Sequence, residues 1–178
     1  MPLLTKDRAV IDDHWTLLPE TAAIADVPVS TPAIVPLALW AAQRGALAVR
    51  CDIGVWLKPA DDPDALAGDV ARLPLIAVDF PKFGDGRGYS TARLLREKHR
   101  YTGELRAIGD ILRDQIYYLW QCGFDTFALR AGGNVAEALA AFGDFSDNYQ
   151  ATVVEPVPLF RRRLQAAPES PASSESSR

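Results

Sequence analysis

Leu75-Ile76-Ala77-Val78-Asp79-Phe80-Pro81-Lys82-Phe83-Gly84-Asp85-Gly86-Arg87-Gly88-Tyr89-Ser90 is the stretch on which the reading of this chain turns. An apolar run stops abruptly, three glycines alternate with charged residues, and a helical pattern starts at Ser90. Strand, glycine-rich turn and helix in that order point backbone N–H groups at an anion. A turn that only reversed the chain would have little use for Lys82, Asp85 and Arg87 among glycines.

The same unit recurs on both sides. Upstream, Ile53-Gly54-Val55-Trp56-Leu57 reads as a buried strand, and Asp61-Asp62-Pro63 as a helix start with an acidic cap before proline. Leu66, Val70 and Leu73 follow at helical spacing. Downstream, 104–108 is a third strand. Gly109-Asp110 turns into a long helix with Leu112, Ile116, Leu119 and Trp120 on one stripe, closed by Gly123. A fourth strand, 124–129, leads through Gly132-Gly133-Asn134 into a last helix carrying Val135, Leu139 and Phe142. Four strand–helix units of short period imply parallel pairing with right-handed crossovers. The fold class is therefore α/β, with either an open sheet or half of a strand–helix barrel.

Outside these units the pattern weakens. Pro19, Pro28, Pro32 and Pro36 interrupt residues 1–36, which read as an irregular arm with an edge hairpin near 11–17 and a linker. Residues 37–160 form the single α/β domain, opened by a short helix at 37–44 and closed by an edge segment around 153–160. Residues 161–178, with Arg161-Arg162-Arg163 and a Ser/Pro/Glu-rich end, read as a disordered tail.

Bulk composition narrows the function. Hydrophobic residues make up 48% of 178, enough for a packed core. A net charge of −4 argues against broad nucleic-acid binding, which wants a basic face. No apolar run is long enough to span a bilayer, and residues 1–7 lack the pattern of a signal peptide. Cys51 and Cys122 stand in no metal-ligand or C-x-x-C spacing. A reduced, cytoplasmic protein is the expectation.

In a parallel α/β sheet, ligands bind outside the carboxyl ends of the strands. Each unit delivers a charge, a glycine turn or both to that edge. The expected anion site comprises Lys82, Gly86, Arg87, Gly88 and Ser90, with Asp110 and Arg130 from neighbouring units. Asp85 is the candidate catalytic proton acceptor, or else the partner that holds Arg87. Asp110 also suits a helix cap. Arg93 and Arg96 on the following helix extend a docking surface for an acidic protein. No metal site and no cofactor is evident: the loop matches neither G-x-G-x-x-G nor a P-loop, and no Cys/His cluster occurs. Cys122 reads as a buried thiol, and Trp56 and Trp120 as core.

Longer blocks carry a resemblance. These are 54–57, 76–83, 85–97 (Asp-Gly-Arg-Gly-Tyr-Ser-Thr-Ala-Arg-Leu-Leu-Arg-Glu), 103–115 and 122–127. In order and content they resemble a bacterial domain-of-unknown-function family labelled an oxidoreductase involved in sulfite reduction, and the likeness spans about 37–150. The resemblance implies an accessory role in assimilatory sulfite and sulfate reduction, with the sulfite reductase hemoprotein or its electron donor as partner. It supplies no catalytic residues. The alternative, from the loop alone, is a small anion- or phosphate-binding enzyme or sensor. No flavin, nicotinamide, haem or iron–sulfur motif accompanies the oxidoreductase label.

Overall fold

A computed structural model describes residues 2–130, 132–145 and 148–166. Its strands and helices are β1 (Pro2–Thr5), β2 (Val10–Asp12), β3 (Thr16–Leu17), β4 (Ala33–Pro36), α1 (Leu37–Leu47), β5 (Ile53–Leu57), β6 (Leu75–Phe80), α2 (Arg87–Glu97), β7 (Glu104–Gly109), α3 (Ile116–Gln121), β8 (Thr126–Ala128), α4 (Val135–Ala140) and α5 (Leu159–Ala166). The strands form one sheet in the order β2-β1-β8-β7-β6-β5-β4-β3. Strands β3 to β8 run parallel, and the β1/β2 hairpin joins β8 antiparallel. The sheet is thus mixed rather than purely parallel.

The connection between β2 and β3 shows how strongly this sheet curls. Those two strands are its opposite edges, yet only Asp13, His14 and Trp15 join them. Four Cα steps reach at most about 14 Å. Seven flat inter-strand gaps would hold the edges about 33 Å apart. The sheet must therefore bend until its edges approach, giving an open half-barrel.

Side-chain alternation then sorts the strand residues. Outward go Val35, Val55, Ile76, Val78, Phe80, Leu105, Ala107 and Phe127, which pack with Trp40, Leu47, Leu95, Ile116 and Leu119 of the helices. Inward go Ile34, Trp56, Leu75, Ala77 and Ile108, against which Trp15 and Ala128 pack. Helices α1 to α4 all contribute to the outer cluster. The inner face is crossed by the segment 13–20.

Several expected elements differ from the observed ones. The arm and linker of 1–36 supply four of the eight strands, and Ala33–Pro36 is a fully buried one. Prolines at 32 and 36 fall at its two ends, where they remove no central ladder donor. The hairpin lies at 2–12 rather than 11–17. Helix α1 runs past Gly45, with a kink at Gln43. The helix expected after Gly109-Asp110 begins as a 3-10 turn at Arg113–Gln115 and becomes α-helical only at Ile116, so Asp110 caps no helix. No strand forms among the described residues near 153–160. Residues 161–166 belong to α5 rather than to a tail, and 167–178 lie outside the described residues. No helix among the described residues is long and apolar enough to cross a membrane.

Candidate functional site

Five parallel strands, β4 to β8, end on one rim of the half-barrel. The side chains at the last inward positions decide what that rim can do. In β6 the inward set is Leu75, Ala77 and Asp79, so an apolar stripe ends in a carboxylate. Asp79 lines a cleft of about 330 Å³ with Trp56 from β5 and Ile108 from β7. Its outer wall is Leu17-Leu18-Pro19-Glu20 from the crossing segment. That volume is at the lower end of what small-molecule sites enclose.

Hydrogen bonds fix the wall on the barrel. Trp56 Nε1 donates to the Leu18 carbonyl at 3.0 Å. The Lys58 ammonium, just past β5, is paired with the Glu20 carboxylate. Deeper on the inner face, the buried Arg106 guanidinium donates to Asp13 at 2.8 Å and to Glu104 at 2.8 Å, and Thr126 donates to the same Glu104. An arginine only 2% exposed needs both carboxylates, because a lone buried charge is costly. The crossing segment is therefore tied at Asp13, Leu18 and Glu20.

Asp79 is held in an unusual state for an aspartate. Partial burial pushes its carboxyl above the ordinary range, Asp85 nearby pushes the same way, and the Phe80 backbone N–H opposes both. Gly109 permits this placement. Its φ of +99° is glycine territory, and a Cβ there would stand 2.5 Å from Asp79 Oδ1 and 2.6 Å from the Phe80 carbonyl oxygen. A half-buried carboxyl with raised pKa in an apolar cleft can take or give a proton nearer to neutral pH than an exposed one.

The residues singled out from sequence fall into three groups, the first two on this rim. Asp85 and Arg87 pair with each other: Arg87 Nε and Nη2 donate to the two Asp85 oxygens at 2.9 and 2.7 Å. Those bonds hold the Asp85 carboxyl below its usual range, the opposite of what a proton acceptor needs. Lys82 is exposed on the same loop and lowers Asp85 further by its charge. Helix α2 begins at Arg87, three residues earlier than the pattern suggested, with Gly86 as its cap. Gly88 is therefore helical, and its missing Cβ makes room for the Phe80 ring, which such an atom would meet at 2.5 Å. Ser90 is exposed on the first turn.

In the second group Asp110 faces Arg130 at 3.5 Å, at the ends of β7 and β8. The Asp110 backbone N–H donates to the Phe80 carbonyl, which ties this turn to the end of β6.

The third group splits. Arg93 is exposed and pairs with Glu97 one turn away. Arg96 is turned inward, with 12% of its side chain exposed. It donates to the carbonyls of Gly123, Tyr101 and Gly103 and pairs with Asp125. Its assignment to a docking surface is corrected: it clamps α2 to the amino ends of β7 and β8. Helical spacing alone placed it beside Arg93, but the carbonyls it meets come from the turn that follows α2 and from the turn before β8.

Sequence reasoning placed Asp79 within the strand 75–80 and gave it no role in the site. The available signal was its parity with Leu75 and Ala77, which puts it on their face of the strand.

A family model described as a bacterial protein of unknown function (DUF934) matches residues 54–160, more than half of the chain. Trp56, Asp79 and Ile108 fall within the matched region, whereas the wall at 17–20 precedes it. No curated protein matches the chain.

Proposed function

This chain belongs to the DUF934 family, and we propose that it is an accessory protein of sulfite reduction that binds a small molecule in the mouth of its half-barrel, with Asp79 as the charged group that meets the ligand. The observation that carries the ligand site is the Asp79 carboxyl, raised in pKa within an apolar cleft at the carboxyl ends of parallel strands. The pathway rests on the resemblance of the 76–97 and 103–115 blocks, and a cytoplasmic setting beside the sulfite reductase hemoprotein or its electron donor goes with it.

Complementation tests both parts. A host lacking this protein, grown on sulfate as sole sulfur source, should regain growth with the natural chain and not with Asp79→Asn. Unimpaired growth of the deletion strain on sulfate, with no reductase or electron donor recovered on the tagged chain, would remove the pathway.

A second reading keeps an anion at the 82–90 loop. Its specific support is Lys82, whose ammonium stands beside an ion pair rather than within one. A ligand anion reaching Arg87 must compete with Asp85 for its guanidinium. Thermal shift with sulfite, sulfate and phosphoadenylyl sulfate separates this reading from the first: Lys82→Ala should abolish the shift, whereas Asp79→Asn should not.

A further inference from the structure

We propose that the part of the ligand that enters the mouth is a planar nitrogen cation, an amidinium, guanidinium or protonated heterocycle, whose N–H groups meet Asp79 and whose flat face lies along Trp56. This rests on the reading of the mouth as a ligand site and adds the chemical class.

Charge bookkeeping across the cleft leads there. Its ionisable lining groups are Asp79 and Glu20, both acids, and Glu20 is already matched by Lys58. Arg106, a base on the inner face, is matched by Asp13 and Glu104. On the rim, Arg87 is held by Asp85 and Arg130 is faced by Asp110. Lys82 sits on the loop beside Asp85 and does not line the cleft, so within the lining what remains is one carboxylate, with Asp85 adding negative potential beside it. An anion in the cleft would meet like charge. A purely apolar ligand would bury Asp79 without a partner, which is costly.

A planar cation removes both difficulties. A carboxylate accepts two parallel N–H bonds from a forked donor, the arrangement that gives charge-assisted pairs their strength and orientation. The remaining lining, Leu17, Leu18, Pro19, Trp56 and Ile108, is apolar and includes an indole, the best side chain for receiving a flat cation. A tetrahedral ammonium would use neither the fork nor the flat wall.

Two isosteric probes of opposite charge test this. The full chain, labelled with nitrogen-15, is titrated with benzamidinium and separately with benzoate, following the Trp56 indole and Gly109 amide resonances. Benzamidinium should move both resonances saturably, and benzoate should move neither. Asp79→Asn should weaken benzamidinium about tenfold or more, the loss expected for a charge-assisted pair, while Asp79→Glu keeps the preference for the cation. Benzoate binding as well as or better than benzamidinium at these residues would overturn the class and leave the mouth as a ligand site. Equal benzamidinium binding by Asp79→Asn would do the same. Failure of both probes to perturb Trp56 and Gly109 would overturn the class and the site together.

Discussion

The Asp79 carboxylate rests over the Cα of Gly109, so close that a single methyl group on that carbon would stand 2.5 Å from Oδ1. Two neighbouring strands thereby build one functional position, because β6 supplies the acid and the end of β7 leaves room for it. Gly109→Ala adds a clash with Asp79 and with the Phe80 carbonyl to the strain of a left-handed alanine. The strain alone is worth about 1 kcal/mol or slightly more. Gly132, at φ +81° with nothing within 4 Å of its added methyl, is the matched control. Urea denaturation should show Gly109→Ala losing clearly more stability than Gly132→Ala.

The raised carboxyl of Asp79 also makes a prediction about pH. Its native pKa lies above the unfolded value, so its contribution to stability is fully present below about pH 4 and is lost as pH rises through the native pKa. Asp79→Asn removes that dependence. The variant should therefore be more stable than the natural chain at pH 7, with the gain shrinking toward pH 3.5. The charges around this group are Asp85, paired with Arg87, and Glu20, paired with Lys58, with the Lys82 ammonium beside Asp85. Denaturant midpoints at the two pH values check the sign; a larger gain at pH 3.5 would contradict it.

Arg106 fastens the crossing segment from inside the barrel. Removing one member of a buried charged group typically costs about 3–5 kcal/mol. Arg106→Ala should approach that range in urea denaturation. It should also raise hydrogen exchange at residues 15–18, since Asp13 loses its anchor.

Arg93 and Arg96 stand three residues apart on α2 yet should behave oppositely. Arg93→Ala breaks an exposed pair with Glu97 and should change stability by less than about 1 kcal/mol. Arg96→Ala removes the guanidinium donor from three carbonyls and leaves Asp125 with only Lys6 and the Leu105 N–H. Hydrogen bonds to a charged group are worth about 1.5–3 kcal/mol each, so a loss of at least about 3 kcal/mol is expected from thermal or urea melts.

Cys122 is buried, and desolvation pushes its thiol up to about 11, whereas Cys51 is exposed. The thiolate is the reactive form. At pH 7.5 iodoacetamide should label Cys51 promptly and Cys122 only after unfolding, as read by mass spectrometry of the digested chain.

The strands at 53–57 and 75–80 were legible from local pattern because a strand buried on both faces writes itself as a continuous apolar run. Strand β4 was not legible. Pro32 precedes it and Pro36 ends it, so the segment locally resembles a linker, and only pairing with β5 makes it central. The β1/β2 hairpin escaped notice for a similar reason: short edge strands carry little periodicity, and its partner β8 is over a hundred residues away.

The chemistry divides along the same line. Which residues carry charge or lack a side chain around 79–90 could be read directly, because identity and spacing are local properties. Which charges cancel was decided only when the sheet curled. Curling drew 13–20 across the inner face, matched Glu20 to Lys58 and Asp13 to Arg106, and left Asp79 facing an apolar cleft. Burial and pairing are sums over neighbours distant along the chain, and no window of residues contains them.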